Sequence, residues 1–154
     1  MIRILFDEQG DSHSDIFFKI DVAPSFLQVA DLYFVGDFLG NEEKRESKED
    51  LMIAFIDYIQ ATVLSVAKEE TFIPIDLSDE YVGGLLVSRK NGELLKVKYV
   101  WTDKFRGFEI TRAHVEKMVK DQKAEFRVEG EWLISMEGAI NGLTWSREKI
   151  KRTT

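Results

Sequence analysis

Two histidines and no cysteine bound the chemistry open to this chain. Without cysteine there is no disulfide, no thiolate metal site and no thiol nucleophile, which fits a reducing compartment. His114 falls in the first turn of a predicted helix and reads as a surface residue. His13 stands among Asp7, Glu8, Asp11 and Asp15, so carboxylate oxygens and an imidazole are close in sequence. Asp11, His13 and Asp15 are the candidate metal ligands. Their spacing departs from an EF-hand calcium loop, because no Glu closes the run and Gly10 precedes the acidic cluster. A polar hairpin loop accounts for the same residues, and no cofactor is expected.

Other catalytic patterns are missing. There is no GxSxG and no phosphate-binding loop, and Gly83-Gly84 lies inside a strand pattern with no helix after it. Pro74-Ile75-Asp76 could open a metal-dependent nuclease pattern, but Glu93-Leu94-Leu95-Lys96 has one residue too many to complete it. The 28 acidic residues could supply a catalytic pair, which keeps a carboxylate-dependent hydrolase as an alternative.

Charge is the more informative property. The net charge is −7 and unevenly distributed. Residues 1–88 hold 18 acidic and 6 basic side chains, a net of −12, while residues 89–154 hold 10 acidic and 15 basic, a net of +5. Such asymmetry points to a charged partner. The candidate partner-binding residues are Asp37, Glu42, Glu43, Glu46, Glu49 and Asp50, although a solvated loop and helix start would look the same. A basic strip of Arg89, Lys90, Lys96, Lys98, Lys104 and Arg106 lies near Tyr99 and Trp101 and could grip a nucleic-acid strand. Strand alternation opposes that, placing the two rings on the face away from Lys96 and Lys98, and so does the overall negative charge. The partner expected is a basic protein. No apolar run reaches the roughly 18 residues of a membrane span, and the first residues do not read as a signal peptide. A cytoplasmic location is expected by default.

The elements that must position these residues follow from periodicity. Met52, Phe55, Ile56, Ile59, Val63 and Val66 fall on one face of a helix over about 48–68, with Ser47 as its cap. A second helix is expected over about 112–122. Strands are expected at Ile2 to Phe6, Ile16 to Val22, within Phe26 to Leu39 with its core at Leu32 to Val35, and at Thr71 to Leu77, the last held to an edge by Pro74. Val82 to Lys90 and Glu93 to Thr102 flank Asn91-Gly92, which predicts a two-residue hairpin turn with Leu86 opposite Val97 and Gly84 opposite Tyr99. Glu125 to Met136 alternates as a strand, and Asn141-Gly142 predicts another hairpin returning through Leu143 to Trp145. Trp132 and Trp145 read as core.

Together these imply one α+β domain over residues 1–154: a mainly antiparallel sheet, one long amphipathic helix packed on it, and a shorter helix. In size and acidity the chain is similar to bacterial immunity proteins, small cytoplasmic inhibitors that neutralise a nuclease or other toxin. No residue pattern carries that similarity, so it implies no site residue. The function expected is non-catalytic binding of a basic protein. The alternatives are a small-molecule-binding domain with a pocket between helix and sheet, and the carboxylate hydrolase.

Overall fold

Two antiparallel sheets, rather than one, carry the strands. The computed structural model describes residues 1–7, 9–11, 13–40, 47–120 and 124–153, the side chains of 151–153 excepted. The first sheet joins β1 (Ile2–Phe6), β2 (Ile16–Ile20) and β3 (Leu27–Ala30) in chain order. Alternation sends Ile2, Ile4, Ile16, Phe18, Ile20 and Ala30 inward, all at most 1% exposed, while Leu5, Leu27 and Val29 face out. The strand expected within Phe26 to Leu39 is β3, which lies before its expected core; Leu32 to Val35 is instead the approach to a short helix, α1 (Val35–Leu39).

Helix α2 (Lys48–Ser65) forms where the apolar spacing requires it. Ser47 caps it, its hydroxyl accepting the Asp50 N–H at 3.1 Å. Met52, Phe55, Ile56, Ile59 and Val63 are fully buried, a gain of roughly 1.5–3 kcal/mol each against exposure. The helix stops three residues before the expected end. There the Arg89 guanidinium donates to the carbonyls of Val66 at 3.1 Å and Leu64 at 3.4 Å, satisfying orphan acceptors of the last turn.

The second sheet is a meander of β4 (Thr71–Leu77), β5 (Val82–Arg89), β6 (Leu94–Thr102) and β7 (Arg127–Ser135). β4 is an edge strand, as Pro74 requires. The β5–β6 hairpin is shifted by one residue from expectation: Leu86 pairs with Lys98, Leu85 with Tyr99 and Gly84 with Val100. The Asn91 side-chain oxygen Oδ1 accepts the N–H groups of Glu93 and Leu94, both at 2.9 Å, which makes a longer loop than a two-residue turn. A one-residue slip exchanges the faces of a strand. Leu85 and Val87 therefore join Val97 and Tyr99, while Leu86 faces the opposite way, toward Val115 and Met118 of α3 (Arg112–Lys120).

The largest departure is at the C-terminus. Met136–Thr153 is a second 18-residue helix, α4, and not a hairpin. Gly142 is the contact that explains the error. A Cβ there would lie 2.1 Å from the Ile2 carbonyl oxygen, so the Asn-Gly pair marks a close helix–strand approach instead of a turn. Ser146 fixes the same contact, accepting the Ile4 N–H at 2.9 Å and donating to the Gly142 carbonyl at 2.8 Å. Arg147 and Asp57 tie α4 to α2 at 2.7 Å. Trp145 is only half-buried, with the cations of Arg3 and Lys149 at 5.4 and 5.5 Å from its ring. The inner faces of both sheets, α2 and α4 contribute to one apolar core.

Candidate functional site: a carboxylate and phenol cleft between the sheets

Two irregularities in the second sheet build the most unusual polar arrangement in the molecule. Between Pro74 and Asp76 the β4–β5 register shifts, leaving Ile75 unpaired and setting Asp76 opposite Gly83. Simple alternation would keep Asp76 on the face of Phe72 and Pro74. The bulge transfers it to the face of Tyr99 and Trp101. A second shift, between Tyr99 and Val100, leaves Glu129 of β7 unpaired at the same place. It also turns Val128 out to 55% exposure and brings Arg127 opposite Trp101.

A cleft of about 240 Å³ opens here, lined by Gln28, Tyr81, Gly83, Tyr99, Trp101 and Glu129. Gln28 comes from β3, so the cleft joins the two sheets. Behind the lining lies Asp76, only 2% exposed. Its Oδ2 accepts the Tyr81 hydroxyl at 2.9 Å and the Gln28 side-chain amide at 3.3 Å. Among the described residues no Lys, Arg or His pairs with it. Burial pushes its carboxyl up to about 6; the Asp31 charge adds to that, and the bonds from Tyr81 and Gln28 oppose it. Tyr81 is pushed up to about 12 by desolvation and by the charges of Asp76, Asp31 and Glu80. Tyr99 is raised by desolvation, then by Asp76, Tyr81 and Glu129.

The Tyr99 hydroxyl is the second anomaly. Tyr99 is 2% exposed and its oxygen has no hydrogen-bond partner among the described residues. Its ring is held by Phe18 and Phe26, at 6.1 and 5.2 Å between centroids. The hydroxyl passes over Gly83, where an added Cβ would come within 2.9 Å of it.

The residues singled out from sequence lie elsewhere. Asp37 and Asp50 are exposed and Glu49 half-exposed, and none is ion-paired to a described residue. Glu42, Glu43 and Glu46 lie outside the described residues. Asp11, His13 and Asp15 each have a separate task. Asp11 accepts the His13 N–H at 3.1 Å, the His13 ring stacks on Tyr33 at 5.3 Å, and Asp15 accepts the Leu32 N–H at 3.2 Å. Among the described residues no three His, Asp or Glu side chains converge as a metal site. His114 is exposed.

Four residues of the basic strip are engaged within the molecule, while Lys90 and Arg106 are exposed. Lys96 pairs with Glu131 at 3.0 Å, Lys98 with Glu70 at 2.9 Å and Lys104 with Glu125 at 3.7 Å, while Arg89 caps α2. The space under α2 is filled by its buried face. A larger hollow, about 840 Å³, lies between α3 and β4.

Sequence reasoning missed the cleft because both of its carboxylates reach it through bulges, which alternation does not reveal. The one available signal was Gly83-Gly84 facing an aromatic strand, which marks close approach across a sheet. No protein-family model, no curated protein and no solved structure matches this chain.

Proposed function

We propose that the chain is a non-catalytic protein-binding domain that recognises a basic protein in the cytoplasm, in the manner of an immunity protein neutralising a basic toxin or nuclease. One observation carries this reading: the distribution of unmatched charge. Several cations of the basic half are engaged within the molecule, at Lys96–Glu131, Lys98–Glu70, Lys104–Glu125 and Arg147–Asp57, and Arg89 is turned to a helix end. Carboxylates without a described cation include Asp37 of α1, Glu49 and Asp50 at the start of α2, and Asp76 and Glu129 at the cleft. Unneutralised carboxylates steer a basic partner and raise its association rate, with an effect that falls as salt rises. A small-molecule-binding reading is favoured by one observation, the cleft itself.

The test is capture on the immobilised protein from a lysate of the native organism, at low and high salt. The expected result is one basic protein, released at high salt and lost when Asp37, Glu49 and Asp50 are all changed to Lys. Purified together, the two proteins should bind with the same salt dependence, and the captured protein's toxic or nuclease activity should be suppressed. A complex whose affinity and salt slope survive the triple change rules out these residues as its interface.

A further inference from the structure

We infer that the Asp76 cleft is a cation-recognition site, which takes one alkylguanidinium or alkylammonium group such as an arginine or lysine side chain presented by the basic partner. The assignment rests on the basic-partner reading and gives it a specific point of contact.

Four features of the cleft converge on that ligand. The first is the direction of its hydrogen bonds. Asp76 draws the Tyr81 O–H and the Gln28 N–H inward. What these two residues still offer to the cleft are oxygen lone pairs, and Glu129 adds a carboxylate. A lining rich in acceptors calls for a ligand rich in N–H donors. The second is the buried, unpartnered Tyr99 oxygen, which an N–H group entering the cleft would satisfy. Its own hydrogen and the Trp101 indole N–H are the donors that remain on the lining.

The third feature is charge and ring surface together. Asp31, Asp76, Glu80 and Glu129 surround the phenols, so an anion is repelled and a cation drawn in. The Tyr81 and Trp101 rings meet edge to face at 6.4 Å. Trp101 already holds one guanidinium, that of Arg127 at 4.7 Å from the ring, which shows the kind of group this wall attracts. The fourth is size. At about 240 Å³ the cleft is smaller than the roughly 300–1,000 Å³ of drug-sized pockets and suits a single side-chain head.

The site is tested on the whole chain with N-acetyl-arginine amide and N-acetyl-lysine amide as probes, and N-acetyl-citrulline amide as the uncharged isostere of the first. Binding is followed by NMR shifts of the Trp101 indole and of the Gly83 and Tyr99 amides. The expected result is that the cations bind at these signals and citrulline at least about tenfold more weakly. Tyr99→Phe, which keeps the ring, and Asp76→Asn should each weaken the cations by about tenfold or more. Equal binding of citrulline, shifts confined to other surfaces, or full binding by Tyr99→Phe overturns the assignment. The captured partner supplies the second arm. A partner complex unaffected by both variants sinks the cleft as its contact and leaves the basic-partner reading standing. Probes that bind while no basic protein is retained sink the partner reading and assign the cleft to a free small cation.

Discussion

Among the described residues two carboxylates are buried, and they differ in what they hold. Asp15 is 1% exposed and Asp76 2%. Desolvation raises both, so a raised carboxyl does not by itself separate a structural acid from a functional one. Their partners do. Asp15 stands at the end of the loop between β1 and β2 and binds backbone: its Oδ1 accepts the N–H of Leu32, and its carbonyl accepts the N–H of Asp7 at 2.8 Å. The Lys48 cation, whose Nζ donates to the Gly10 carbonyl, lies near enough to lower its carboxyl. Asp76 binds the backbone of Asp31 but also the side chains of Tyr81 and Gln28, and those side chains line an open cleft. No described cation compensates it. One acid closes a loop; the other lies behind an open cleft with no described cation to offset its burial.

The largest expected effect is at Asp76. A carboxyl raised from 3.8 to about 6 in the folded state binds more protons there than when unfolded. Stability therefore falls as pH rises through that window, by about 3 kcal/mol for this group, and is level above it. Asp76→Asn keeps an acceptor for Tyr81 and removes the charge. It should raise stability at pH 7 by up to about 3 kcal/mol and flatten its part of the pH dependence, read by urea unfolding at pH 4 and 7. Asp15 contributes in the same direction, so some slope should persist. A destabilised Asp76→Asn would make Asp76 a structural acid like Asp15 and erase the contrast.

Asp15→Ala should act in the opposite sense. It leaves the Leu32 N–H buried without its acceptor and should lose about 1–3 kcal/mol in urea unfolding. Binding of a cation at the cleft should change far less than in Asp76→Asn, because Asp15 does not line the cleft and is coupled to it only through the shared neighbour Asp31. Tyr99→Phe is the smallest effect on stability. Removing a hydroxyl that has no partner should be neutral or stabilising by up to about 1 kcal/mol, measured the same way. A clear loss of stability would reveal a bond to that oxygen and remove the second support of the site.

How much of this was legible in the sequence follows from the same contrast. Helix α2, its Ser47 cap and the edge position of β4 came from apolar spacing and proline chemistry, which act locally. The α+β class followed from those elements. The register of β5 did not, because Asn91 bonds two N–H groups beyond it and lengthens the turn by one residue. Helix α4 was hidden by Gly142, whose missing Cβ serves a contact with Ile2, far away in sequence. The candidate site was least legible of all. Asp76 and Glu129 come together only because two strands each gain a residue, and Gln28 arrives from another sheet. The acidic run around Glu49 was visible because charge needs no geometry to be counted. The polar loop at Asp7 to Asp15 was read correctly as a hairpin connection, and Asp15 proves to be the residue that seals it.

The most direct measurement is the NMR titration of the Asp76 carboxyl carbon, with and without N-acetyl-arginine amide. A midpoint near 6 in the free protein, moving down toward the ordinary carboxylate range when the probe is bound, is the result predicted for a buried acid awaiting a cation. A midpoint near 3.8 in the free protein, or one that the probe leaves in place, would contradict it.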